Sequence, residues 1–414
     1  MKNRNGDVVK LNLTTSQIEF RGVPNWRCDV KKELEIYIHI PFCVRKCLYC
    51  DFLSGPENKG KIEKYVEALL NEIRALEKPD TLSLFESVTS IFMGGGTPSI
   101  LERNQIEEIM CAIKKAFHVA VDAEITIEAN PGTVTREKLK AYRRAGINRI
   151  SFGLQSTNNE ELKLLGRIHT YEEFLESYQL ARDCGFDNIN VDLISAIPRQ
   201  TVESWEESLK RIIELNPEHI SAYSLIIEEG TPFAKMYGEG ALKENELPTE
   251  EDERFMYQRT EELLNRAGYH RYEISNYSKI DKECRHNLGY WERKDYLGIG
   301  LGASSLIDNV RYKNTDDMDC YISYASLTSR IQEEREVLST KEQMEEFVFL
   351  GLRKMQGISI KEFEETFGKT LEECYGQNIK RMLKDELVEI EDDFLRLTKK
   401  GIDISNYVFA EILN

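Results

Sequence analysis

The sequence predicts an α/β protein: six strand-then-helix units forming a parallel sheet, then a smaller unit of winged-helix topology. Three observations carry this prediction. Short β-rich runs alternate with amphipathic helical stretches six times from residue 35 onward. The stretches between runs are long enough for the crossovers that right-handed parallel units require. Past residue 336 the pattern is three helical stretches, two short strands and a final helix. Six units fall short of a closed eight-unit barrel, which leaves a partial barrel or an open sheet.

The first strand is EIYIHI, ended by Pro41. A helix follows over 61–77, where Ile62, Val66, Leu69, Leu70, Ile73 and Leu76 recur at helical spacing. VTSIFM is the second strand and runs into Gly94, Gly95 and Gly96; its helix spans 105–117. EITIEA stops at the turn Asn130-Pro131, with a helix over 135–145. RISFGL is followed by helical text up to Cys184, NINVDLI by SWEESLKRIIEL, and HISAYSLI closes the series. After Gly230-Thr231-Pro232 the alternation ends. The expected organisation is an extension over 1–34, a β/α region over 35–235, an accessory region over 236–335 and the winged-helix-like unit over 336–414. Within the extension, VVKLNL reads as an extra strand.

The chain has 414 residues with 41% hydrophobic and 31% charged content, and a net charge of −17. That balance speaks against a nucleic-acid partner, because phosphate binding needs a basic face. The same holds for the terminal unit, where residues 340–414 carry 16 Asp and Glu against 11 Lys and Arg. No run approaches the ~20 apolar residues that span a bilayer. The first residues lack the apolar centre of a secretion signal, so the expected location is the cytoplasm. Nine cysteines in a reducing compartment favour metal binding over disulfides.

Three of the nine stand together in CVRKCLYC as Cys43, Cys47 and Cys50, on the loop that follows the first strand. In α/β sheets that edge is where ligands bind. Zinc would need His39 or Cys28 as a fourth ligand. A 4Fe–4S cluster held by three cysteines keeps one iron open, as catalytic metals do, and that iron can chelate an amino and a carboxylate group.

With Cys43, Cys47 and Cys50 spaced in this way after a strand, the chain resembles the radical S-adenosylmethionine superfamily. The stretches YIHIPFC, GGGTPS, EANP, SFGLQS, GRIHT and DLISAIP, in that order, are similar to oxygen-independent coproporphyrinogen III oxidase and its relatives. The resemblance implies a partial (β/α)6 barrel, a 4Fe–4S cluster on the three cysteines, and an electron donor of flavodoxin or ferredoxin type. It also implies cleavage of S-adenosylmethionine to methionine and a 5′-deoxyadenosyl radical. Carried over by position, the cofactor contacts are Tyr37, Tyr49, Gly96, Thr97, Glu128, Gln155, Arg167 and Asp192. Tyr49 would lie near the adenine, the glycine turn would admit the methionine amino group, and Arg167 would pair with the carboxylate.

Two stretches separate branches of the family. The oxidases carry a fourth cysteine two positions after the third, where this chain has Phe52. YEISNYS and HNLGYW, with His286, Tyr290 and Trp291, resemble the haem chaperone branch. That branch implies haem or another tetrapyrrole as ligand and a haem-accepting protein as partner. His286 could ligate haem iron, or it could be a buried hydrogen-bonded histidine in an aromatic cluster. GIGLG is not a dinucleotide fingerprint, for it lacks the final spacing.

Overall fold

The computed structural model describes residues 32–77 and 85–413. VVKLNL and Cys28 lie outside the described residues. Six strands follow the expected order: β1 Lys32–Ile40, β2 Phe85–Gly95, β3 Val119–Ala129, β4 Arg149–Gln155, β5 Ile189–Ser195 and β6 His219–Ser224. All six pair in parallel with their sequence neighbours. The crossover helices begin where side chains can accept the first free amides. Asn58 caps helix Lys59–Leu76, Thr135 caps Arg136–Ala145 and Thr201 caps Val202–Leu215.

Alternation along each strand separates two faces. Ile36, Ile38 and Ile40 of β1, with Ile91 and Met93 of β2 and Ile125 and Ile127 of β3, are fully or almost fully buried. They belong to one core with Leu69, Ile73, Ile106, Ile109, Leu139 and Leu209 from the helices. At roughly 1.5–3 kcal/mol per buried aliphatic side chain, this face dominates the fold's stability. The intervening positions are mostly polar: Glu35 and His39, Ser90, Glu124 and Thr126, Ser151, Asn190, His219, with Tyr37 and Phe92 as aromatic exceptions. A parallel sheet with helices on one face and a polar opposite face is a barrel wall whose interior is reserved for polar groups.

Six further strands extend this sheet to twelve: β7 His270–Arg271, β8 Asn276–Ser278, β9 Tyr296–Ile299, β10 Ser304–Ile307, β11 Val310–Asn314 and β12 Gln332–Val337. The sheet order is β12-β11-β10-β9-β1-β2-β3-β4-β5-β6-β8-β7. β9 lies parallel to β1, and β8 antiparallel to β6. The segment 236–335 therefore adds strands at both ends of the barrel wall. Gly298 and Gly300 allow this: a Cβ at Gly298 would meet Ser304 O at 2.2 Å, and one at Gly300 (φ +109°) His39 O at 2.7 Å.

Two other departures are local. The helical text between β4 and Cys184 is two helices, Asn159–Leu164 and Tyr171–Asp183, because Gly166 turns the chain at φ +78°. The terminal unit gains a third strand, β13 Ile358–Ser359, which pairs with Phe394–Leu397 beside Val388–Glu391. It has its own core of Val348, Phe363, Ile379, Leu395 and Val408.

Candidate cofactor site

The site forms where β1 to β5 end. The cysteine loop leaves β1 and is tied to the glycine turn of β2 by backbone hydrogen bonds from Gly96 N to Ile40 O (2.9 Å) and Thr97 N to Phe42 O (2.7 Å). It is tied to the loop after β4 by Leu48 N to Leu165 O (3.1 Å). Cys43, Cys47 and Cys50 then line one cavity with Tyr49, Gly96, Thr97, Glu128, Gln155, Arg167 and Asp192. Thr97 Oγ1 lies 3.6 Å from Cys43 Sγ.

Arg167 is the hub. Its Nη1 lies 3.3 Å from Cys47 Sγ, and its Nη2 donates to Asn130 Oδ1 (2.6 Å) and to the Gly153 carbonyl (2.5 Å). Its Nε is buried and has no hydrogen-bond partner among the described residues. Gln155 sits at φ +76°, a left-handed conformation costly for a residue with a Cβ, next to an irregularity in the β4–β5 register. Strain of this kind persists where a site needs the side chain re-aimed.

Two carboxylates face the cavity. Glu128 accepts from Gly95 N (3.1 Å). Burial, with nearby Asp192 adding to it, pushes its carboxyl up to about 8. Asp192 is held from below by Ser151 Oγ (3.0 Å) and Asn190 Nδ2 (2.8 Å), and burial raises it despite those bonds. Asn190 Oδ1 in turn meets His219 Nδ1 (2.6 Å), whose Nε2 meets Tyr272 OH (2.7 Å). Burial, then the field of Arg149, keeps His219 neutral.

The Radical SAM superfamily matches residues 37–212, and the HemN C-terminal domain matches 338–404. The chain is 37% identical to Heme chaperone HemW of Lactococcus lactis subsp. lactis, covering 93% of this chain and 98% of that protein. It is 36% identical to Heme chaperone HemW of Bacillus subtilis, covering 91% and 98%. The chain belongs to the HemW family of radical SAM proteins. Among solved structures it is similar to coproporphyrinogen III oxidase (HemN) from Escherichia coli, with TM-score 0.79 and 25% identity over 92% of this chain and 90% of that one.

The radical SAM superfamily match implies a 4Fe–4S cluster and S-adenosylmethionine, and the residues present fit both. Cys43, Cys47 and Cys50 stand around one shared cavity, as a cluster of several irons needs. Zinc also lacks its fourth ligand at His39, whose Nδ1 meets Tyr37 OH (3.0 Å) and whose Nε2 meets Leu53 O (2.9 Å). For S-adenosylmethionine, a cation with its own carboxylate, the cavity offers two carboxylates, Gln155 and Arg167. A bound cation between Glu128 and Asp192 would relieve the burial cost that raises both groups.

Ten of the twelve expected site residues meet at this cavity; Tyr37 and His286 do not. Tyr37 stacks with Phe92 and His286 (centroids 6.5 Å in each case) and hydrogen-bonds His39 rather than lining the cavity. His286 is 1% exposed. Its Nδ1 meets Ser90 Oγ (2.8 Å) and its Nε2 meets Tyr290 OH (3.2 Å), so neither nitrogen is free for haem iron. Burial, reinforced by Arg149, lowers its pKa to about 3. In this structure His286 is a buried, hydrogen-bonded member of an aromatic cluster.

The glycine turn is closely packed against the cysteine loop. A Cβ at Gly96 would meet Phe42 O at 2.6 Å and Ile40 O at 2.8 Å, and one at Gly95 the His39 ring at 2.4 Å. These glycines make room for the cysteine loop and its supports, and both also line the cavity. Asn130, which in the sequence reads as part of an Asn-Pro turn, bridges Thr97 Oγ1 (2.9 Å) and Arg167. Its place directly after the strand that carries Glu128 was the available signal.

Proposed function

We propose that the chain is a haem chaperone: it holds a 4Fe–4S cluster, S-adenosylmethionine and haem, and passes haem to an acceptor protein. The observation that carries the reading is position 52. Where the oxidases offer a further cysteine, this chain has Phe52, which lines the cavity while its side chain stays exposed. Relatives at 36–37% identity over almost their whole length bear the name Heme chaperone HemW.

The protein's own residues do the positioning. Cys43, Cys47 and Cys50 would hold three irons. Arg167, Gln155, Glu128 and Asp192 would orient S-adenosylmethionine, with Asn130 and Thr97 fixing the Arg167 fork. The cluster, when bound, supplies one electron for reductive cleavage of that cofactor. We place the protein in the cytoplasm with a flavodoxin or ferredoxin as electron donor.

The test is haem titration of reconstituted protein. A Soret shift saturating near one haem per chain supports the reading, and no saturable binding overturns it. A Cys47→Ala variant that still cleaves S-adenosylmethionine would overturn the cluster assignment.

One observation favours a second reading, radical decarboxylation of coproporphyrinogen: the TM-score of 0.79 to the Escherichia coli oxidase. It requires substrate-dependent 5′-deoxyadenosine together with carbon dioxide release, and absence of both removes it.

A further inference from the structure

The cysteine loop is closed on itself. Cys43 N donates to Gly55 O and Gly55 N to Pro41 O (both 3.0 Å), and Lys46 Nζ donates to the Phe52 carbonyl (2.8 Å). Segments 43–46 and 52–55 therefore run side by side as one flap over the cofactor cavity. It carries three large apolar side chains that folding leaves exposed: Val44 is 60% exposed, Phe52, at the cavity rim, 68% and Leu53 40%. Scattered surface apolar residues need no explanation, but three on one short flap mark a contact surface.

Cations accompany them. Arg45 lines the cavity beside Phe52 and pairs with no carboxylate among the described residues. Lys46 uses one ammonium proton on Phe52 O and keeps two for another acceptor. Arg45 and Lys46 thus place two adjacent positive charges on the same loop as Phe52.

We propose that this flap is the haem-docking surface, with the porphyrin face against Phe52 and Val44 and the two propionates on Arg45 and Lys46. The inference rests on the haem-carrying reading above and says where haem sits. Haem joins a flat apolar face to two carboxylates, which matches an exposed aromatic next to two cations. An acidic electron donor would use the cations but gains little from Phe52, Val44 and Leu53. These contacts involve the macrocycle and its carboxylates, so they serve metal-free protoporphyrin IX as well as haem.

The experiment titrates cluster-loaded full-length protein with haem, protoporphyrin IX and protoporphyrin IX dimethyl ester. Wild type is compared with Phe52→Ser and with the double variant Arg45→Ala/Lys46→Ala. Phe52 is exposed, and equal iron content per chain checks that each variant retains its loop. The expected result is about tenfold weaker haem binding in Phe52→Ser, the scale of one aromatic contact. The double variant should lose about tenfold for haem and protoporphyrin IX and nothing for the ester. If wild type takes up no haem saturably, the haem-carrying reading fails, and this site with it. If wild type binds but both variants stay within twofold of it, the docking site is wrong while that reading stands. If the double variant keeps its haem affinity and instead loses reduction by an acidic flavodoxin, the flap is a donor dock and the proposal is overturned.

Discussion

Gly96→Ala tests how the cysteine loop is held. The added Cβ would lie 2.6 Å from Phe42 O and 2.8 Å from both Ile40 O and Phe42 N, about 0.8 Å short of ordinary contact at the first. All three atoms are backbone, so no side chain can swing aside. Relief requires β1 and the glycine turn to separate, which breaks the bonds from Gly96 N to Ile40 O and from Thr97 N to Phe42 O. Overpacking of this kind costs about 1–3 kcal/mol, and two backbone bonds add about 1 kcal/mol each. The expected loss is about 3–5 kcal/mol, and the movement reaches Cys43 directly through Phe42. Urea unfolding and iron content after reconstitution measure both effects. The matched control is Gly55→Ala in the same loop, where a Cβ meets nothing within 4 Å; its stability should change by less than about 0.5 kcal/mol. A Gly96→Ala protein within about 1 kcal/mol of wild type and with full iron content would refute the reasoning.

Three further outcomes follow from the geometry. Arg167→Lys replaces a planar fork by a single ammonium and cannot reach Cys47, Asn130 and Gly153 together; S-adenosylmethionine affinity should fall about tenfold or more in equilibrium binding. His286→Ala removes a buried ring packed on Phe92 and Tyr290 (centroids 5.3 and 4.9 Å) and should cost about 2–4 kcal/mol, while haem affinity of the folded variant stays within twofold. Glu72 accepts from Gly300 N, Asn314 Nδ2 and Tyr321 OH, and burial pushes it up to about 7. A raised folded pKa means the native state holds that proton more tightly, so this stability is present below about pH 4.5 and lost as pH rises through 7. Glu72→Gln should flatten the decline in urea midpoint between pH 5 and 8, a term on the order of 3 kcal/mol.

The cysteine trio, the strand ends and most of the cavity wall are legible in the sequence because they are local. Cys43, Cys47 and Cys50 share one loop, and Glu128, Gln155 and Asp192 each stand at or near the end of a β-rich run whose period is read directly. What escaped depends on partners far away in the chain. Asn130 matters because Arg167 and Thr97 reach it from other loops. His286 looks like a ligand beside Tyr290 and Trp291 until Ser90, 196 residues away, is found on its Nδ1.

The sequence by itself determined the βα alternation, the parallel order of six strands, the separate terminal core and the family, since hydrophobic period and motif spacing need no long-range information. Only the tertiary structure decided that β9 enters beside β1, that the glycine turn is packed by Ile40 and Phe42, and which histidine nitrogens are free. Those are matters of register and contact. Strand register and ring burial depend on the shapes of surfaces that meet only after the chain has folded.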